Sequence, residues 1–256
     1  MTKAKKEPEE KSKGKKKLFP RILPSLLGTG LGVYYGVIRP KILTWGATSE
    51  EVDGKLPGDE IVVKPRYVTT RAFEMKATPA EIWPWLVQMG QGRGGFYSYD
   101  KLENLFGCEI YNADKILPEY QNLKLGDKIC LAPPKDFDPA MLVTQLEPEK
   151  HLVLSTPGET AVSPVANLPF ASWAFVLHQK DENTTRLIIR FRSDFKPTIM
   201  GYLVNRIMLE PIQFIMERKM LLGIKVRAEM NHVAPHLATP VLSPASKKAS
   251  QKAKIS

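Results

Sequence analysis

Tyr97, Tyr99, Asp100 and Glu103 follow directly on a glycine-rich run, Gly90-Gln91-Gly92-Arg93-Gly94-Gly95. A carboxylate with a raised pKa beside a phenol can move protons in an enolisation or a dehydration. Glycines before such residues allow the backbone turns that aim large side chains into a pocket. The plainer alternative is that Asp100 and Glu103 are first-turn charges, favoured by the dipole of the helix they begin. These four residues are the catalytic candidates.

The run matches G-x-G-x-x-G literally. A dinucleotide fingerprint must follow a strand and open a helix. This one follows a helix, so dinucleotide binding is set aside. What remains is a tight turn or an anion-holding loop of backbone donors helped by Arg93. Around it, Trp85 and Gln88 on the preceding helix, Phe96 with Tyr97 and Tyr99 after the turn, and Asn112 could line a pocket for a ligand. Asn112 and Asp114 could equally cap a turn. Trp173 and Arg190 on strands and Met208 on the last helix complete the ligand-binding candidates. Arg190 and Arg192 alternate with Ile189 and Phe191, so both face one side of a strand. That side is solvent, or a cavity in which an arginine meets Asp100, Glu103 or a ligand carboxylate.

His151, His178, His232 and His236 have no metal-ligand spacing, and no serine sits in a G-x-S-x-G elbow. No metal and no cofactor is expected. Cys108 and Cys130 lack C-x-x-C spacing and are read as reduced thiols in or near the core.

The formal net charge is +10, but it is not spread over the chain. Residues 1–17 carry +5, residues 235–256 carry +4, and the body between is close to neutral. A nucleic-acid groove needs its charge on the folded surface, so no nucleic-acid partner is expected. The lysine-rich ends read as solvated tails (1–17 and 233–256) that could still touch anionic lipid. Residues 18–45 form an apolar arm. Its uninterrupted part, Ser25 to Ile38, is short of the roughly 20 residues a spanning helix needs. Gly28, Gly32 and Gly36 nevertheless recur at the spacing of close-packed membrane helices. Three readings stay open: a membrane anchor, an interfacial helix, or an arm packed on the domain. The expected location is accordingly membrane-associated or cytoplasmic.

Residues 46–65 read as a connector that opens with a capping box, Thr48 to Glu51. A domain follows over 66–232. Its first strand is Tyr67 to Ala77. Thr78-Pro79-Ala80-Glu81 then starts a helix carrying Ile82, Trp83, Trp85 and Leu86. After the glycine turn, Ser98 is expected to cap a second helix whose apolar face is Leu102, Leu105 and Phe106. Strands are expected at Lys128–Leu131, Met141–Leu146, His151–Ser155, Ser172–Gln179 and Thr185–Arg192, joined by short polar turns. The last element is a long helix, about Thr198 to Met230, with Pro211 as an expected kink. One stripe holds Met200, Leu203, Val204, Ile207, Phe214, Ile215, Leu221 and Leu222. Tyr202, Leu209, Met216 and Met220 fall near the opposite side.

Strand, two helices, a meander of strands and one long helix describe an α+β helix-grip, a curved antiparallel sheet around a C-terminal helix. This order, with Glu81-Ile82-Trp83 early and Thr185-Arg186-Leu187-Ile188-Ile189-Arg190-Phe191-Arg192 in the last strand, resembles the SRPBCC superfamily. That superfamily includes START lipid-transfer domains, pollen-allergen-like proteins and polyketide cyclases/dehydrases. Trp45-Gly46-Ala47-Thr48, Leu56-Pro57-Gly58-Asp59-Glu60 and the run Trp83 to Asp114 are similar to bacterial polyketide-cyclase-like members of unassigned activity. The resemblance implies a cavity for a hydrophobic small molecule or lipid, and no particular reaction. The expected function is binding or transfer of such a molecule, at a membrane if the arm docks there. The alternatives are a cofactor-free cyclase or dehydratase and an interaction protein with a filled cavity.

Overall fold

Short polar turns at 148–150 and 182–183 make antiparallel neighbours of the strands they join. In the computed structural model, residues 28–30, 32–134, 138–157, 170–195 and 197–233 are described. Both lysine-rich ends, and Leu18 to Leu27 of the arm, lie outside them. The chain divides into two units, Met1–Lys41 and Ile42–Ser256. The described part of the first is helical, with a π-helical stretch at Tyr34–Ile38 running into α1 (Arg39–Leu43). Val33, Tyr35, Val37 and Ile38 on it are exposed. Among the described residues no helix is long and apolar enough to cross a membrane.

The second unit holds α2 (Ser49–Asp53), β1 (Tyr67–Met75), α3 (Pro79–Val87) and α4 (Asp100–Leu105). Then come β2 (Lys128–Cys130), β3 (Ala140–Glu147), β4 (His151–Ser155), β5 (Phe170–Asp181) and β6 (Thr184–Asp194). The final helix begins as α5 (Ile199–Leu203), passes through a π-helical turn at Val204–Leu209 and continues as α6 (Glu210–Val233). The six strands form one curved antiparallel sheet in the order β1-β6-β5-β4-β3-β2, with α6 across its concave face. This is the expected α+β helix-grip arrangement.

Both capping boxes form. Thr48 N–H donates to Glu51 Oε2 at 2.8 Å, and Thr78 N–H to Glu81 Oε2 at 2.8 Å, each with the reciprocal bond. The second box and Pro79 aim α3 so that Ile82, Trp85 and Leu86 enter the core with Phe175, Leu154, Leu187, Ile189, Leu221 and Ile224. Alternation along β6 puts Ile189, Phe191 and Ser193 on the side of α6, and Ile188, Arg190 and Arg192 on the other.

Pro211 falls where the helix can take it, and two details of α4 differ from the sequence reading. Pro211 is accommodated at the start of α6, directly after the π-helical turn. Pro lacks the amide and would clash with a carbonyl one turn back, and the wider π turn provides the room. Ser98 does not cap α4. Tyr99 holds that position without a side-chain bond, and Ser98 Oγ donates instead to Met216 O at 3.0 Å. The expected apolar face of α4 points outward, with Leu105 and Phe106 each 78% exposed.

Residues 46–65 are more than a connector. They lie over the convex face of the sheet, where Arg190 is only 3% exposed. Arg190 donates to Thr70 Oγ1 at 3.0 Å, to Gly54 O at 2.8 Å and to Val52 O at 2.9 Å, and pairs with Asp59 at 2.7 Å. Arg192 reaches Asp59 as well, at 3.2 Å. The two arginines therefore face neither solvent nor cavity: they fasten this segment to the sheet.

Candidate functional site

A curved sheet cannot touch a helix laid across it along its whole length. The gap left here is a cavity of about 390 Å³ between the β1/β6/β5 side of the sheet, α4 and the N-terminal half of the final helix. That is near the lower end of the range for small-molecule sites. At about 30 Å³ for each water-sized group it has room for roughly a dozen heavy atoms.

Its wall is aromatic and aliphatic: Tyr67, Phe96, Trp173 and Phe191, with Ile110, Leu131, Met141, Leu209, Ile212, Met216 and Met220. Alternation supplies the sheet side, since Tyr67 sits opposite Ser193 and Phe191 opposite Trp173. Helical spacing supplies the other side, through Leu209, Ile212, Gln213, Met216, Glu217 and Met220. Leu209 and Ile212 are also 41% and 51% exposed, so part of the wall borders solvent.

The polar groups on the wall differ in what they already hold. Glu217 is buried and pairs with Arg71, also buried, which lies just behind the wall on β1. The other carboxylate oxygen of Glu217 accepts from Trp173 Nε1 at 3.0 Å. Arg71 further donates Nε–H to Ile42 O at 3.0 Å and lies 5.3 Å from the Phe214 ring centre. Burial pulls its guanidinium down from the ordinary value. Tyr67 donates its hydroxyl to Gln213 Oε1 at 2.6 Å. Two wall atoms have no hydrogen-bond partner: Glu103 Oε2 and Ser193 Oγ. Burial, and secondarily the Asp100 charge, pushes the Glu103 carboxyl up to about 7. At neutral pH it is therefore divided between acid and carboxylate.

Of the residues singled out from sequence, Phe96, Trp173 and Glu103 lie on the cavity wall. The others do not. Tyr97 is buried beneath it, with φ at 57°, its hydroxyl donating to Trp85 O at 2.9 Å and its amide to Asn112 Oδ1 at 2.6 Å. Burial pushes its phenol well above the ordinary value. Asn112 also donates to Ser98 O at 3.0 Å, so it clamps the loop rather than capping a turn. Gly95 makes that clamp possible, because a Cβ there would sit 2.6 Å from Asn112 Oδ1. Asp114 pairs with Arg227 at 2.7 Å. Trp85 is core, edge-on to Tyr97 with ring centres 5.8 Å apart. Gln88 accepts from Leu117 N at 2.9 Å and donates to Lys115 O at 3.2 Å. Tyr99 is 42% exposed beside Lys219, Asp100 is outside the wall, and Met208 is 56% exposed.

Arg93 does not prepare an anion site. It turns back to donate to Val87 O at 2.8 Å and Met89 O at 3.2 Å, the carbonyl end of α3, where a cation is favoured. The amides of Gly90, Gln91, Arg93, Gly94 and Gly95 all donate to backbone carbonyls, so the loop is a closed turn.

The sequence reading missed Tyr67, Phe191, Ser193, Gln213 and the Arg71–Glu217 pair. Two signals were present. Arg71 stands at an inward position of β1, in register with Ile189, and Glu217 shares the helical stripe of Gln213 and Met220. Charges at positions that alternation and helical spacing turn inward mark a buried pair. Among the described residues no three His, Cys, Asp or Glu side chains gather as metal ligands.

No family model and no curated protein matches the chain. Solved structures resemble it only distantly. A conserved protein from Geobacillus kaustophilus is 16% identical, over 64% of this chain and 97% of that one, with a TM-score of 0.39. The Aha1 dimer from Colwellia psychrerythraea is 18% identical, over 64% and 97%, with a TM-score of 0.36. A protein from Arthrobacter aurescens is 16% identical, over 66% and 92%, with a TM-score of 0.36. At these values nothing about the site carries over from them.

Proposed function

We propose that this chain is an SRPBCC-type carrier that binds an apolar small molecule or lipid-derived group in the cavity between sheet and final helix. The observation that supports this most is the cavity itself: a gap of about 390 Å³ walled by Tyr67, Phe96, Trp173, Phe191, Met216 and Met220. Burying an apolar ligand there gains roughly 25 cal/mol for each Å² removed from water. On the same final helix, Ile199, Met200, Leu203 and Ile207 expose large apolar side chains. Such a surface suits exchange with an apolar phase, a membrane surface being the partner the basic ends would favour. Co-flotation of the full chain with anionic vesicles checks that part, and its absence would remove the membrane from the proposal.

Naphthylethanol, about the size of the cavity, is a suitable probe. Saturable binding of one equivalent is expected by calorimetry. Ser193→Phe directs a ring into the space and removes no hydrogen bond of the Ser193 side chain, so it should weaken binding at least tenfold while the fold is kept. No saturable binding, or unchanged affinity in Ser193→Phe, would refute cavity binding.

The enzymatic alternative rests on Glu103, an acid on the wall with its carboxyl at about 7. Of the four catalytic candidates it alone lies there. A single acid/base could serve an isomerisation or dehydration, and turnover abolished by Glu103→Gln would be its sign.

A further inference from the structure

The charges on the cavity wall are one-sided. Among the described residues no Lys, Arg or His belongs to its wall, while Glu103 and Glu217 do. Arg71, behind the wall, pairs through Nη1 with Glu217 and donates Nε–H to Ile42 O, and only its Nη2 is left without a partner. Arg190 and Arg192 are held on the other face of the sheet, Arg93 at the end of α3 and Arg227 at Asp114. Arg71 offsets Glu217, which leaves the Glu103 carboxyl uncompensated, with one oxygen that has no partner. Carboxylates without compensation in apolar surroundings are costly. An anionic ligand would add a second such charge. A ligand cation would remove the first, and the aromatic rings of Phe96, Trp173, Tyr67 and Phe191 on the wall are of the kind that attracts a cation. Ser193, 1% exposed and with its Oγ unpartnered, offers a second polar contact on the sheet wall.

We infer that the cavity selects amphiphilic amines, an apolar body carrying a basic nitrogen that meets Glu103, and rejects carboxylates such as fatty acids. This rests on the cavity-binding proposal above and narrows it to one ligand class. No covalent step is involved. The amine N–H donates to Glu103, and the apolar body fills the space before Trp173 and Met216.

The test compares three probes of one skeleton on the full chain at pH 8, where Glu103 is mostly ionised: naphthylethylamine, naphthylethanol and naphthylacetate. Charge-assisted hydrogen bonds of this kind are worth roughly tenfold to a hundredfold in affinity. The amine should bind tighter than the alcohol by that factor, and naphthylacetate weakest of the three. In Glu103→Gln the amine should lose its advantage over the alcohol. Naphthylacetate binding as tightly as the amine overturns the inference and leaves cavity binding standing. So does an amine preference that survives in Glu103→Gln. If none of the three binds, cavity binding and the inference fall together.

Discussion

Replacing Glu217 by Leu should destabilise the chain severely, and the structure gives the size of the effect. The Arg71 and Glu217 side chains are 0% and 2% exposed. Removing one partner leaves a guanidinium in the interior without its ion-pair partner, although the charge of buried Glu210 still acts on it, and costs about 3–5 kcal/mol. Trp173 Nε1 loses its acceptor at the same time, for about 1 kcal/mol more. The combined loss of about 4–6 kcal/mol is a large share of the 5–15 kcal/mol typical of a folded domain. It corresponds to a melting temperature lower by roughly 10–20 °C for a chain of this size. Urea unfolding followed by tryptophan fluorescence measures it. The double variant Arg71→Met/Glu217→Leu replaces both charges with apolar groups and should recover to within about 2 kcal/mol of wild type. If Glu217→Leu costs less than about 1 kcal/mol, or the double variant is as unstable as the single, the pair is not the buried, mutually dependent unit described above.

Glu103 gives a pH signature. Its folded-state carboxyl lies at about 7 against an ordinary 4.5. The folded protein therefore holds this proton where the unfolded chain has released it. The associated stability is fully present below about pH 4.5 and is lost as pH rises through about 7. Melting curves of wild type and Glu103→Gln should diverge over that window, with wild type falling relative to the variant. Parallel curves would contradict the burial of this group. Gly223→Ala tests the approach of the loop to the final helix. Alanine ordinarily stabilises a helix by about 1 kcal/mol over glycine. Here the added Cβ would stand 2.3 Å from Tyr97 O and 2.7 Å from Tyr97 Cβ, and a backbone carbonyl cannot step aside cheaply. A net loss of about 1–3 kcal/mol in urea unfolding is expected, and a gain would refute the contact.

Much of the fold could be read before any coordinates. Polar turns such as Asp181-Glu182-Asn183 and the caps at Thr48 and Thr78 are local devices, and local devices are written in local sequence. The site was less legible because it depends on partners far apart in the chain. Tyr97, Asn112 and Gln88 carry the polar atoms of a binding loop, yet each is consumed by bonds to backbone that only the folded loop brings near. Arg190 alternates as expected on its strand, but nothing local says that residues 46–65 return to cover that face. The final helix offers two apolar stripes, and periodicity alone cannot choose between them. The structure takes Leu209, Met216 and Met220 to the cavity and leaves Met200, Leu203 and Ile207 exposed. Phe96 and Trp173 were found because they are large residues that the turn and the strand place on the wall, and Glu103 because it is a charge close after that turn, on α4.

The central claim is that the space between sheet and final helix holds an apolar ligand. Native mass spectrometry of the full chain, purified without detergent and followed by solvent extraction, tests it most directly. One apolar passenger per chain is expected, or an empty chain that takes up a single naphthylethanol. A chain that carries no passenger and takes up none of the probe would contradict it.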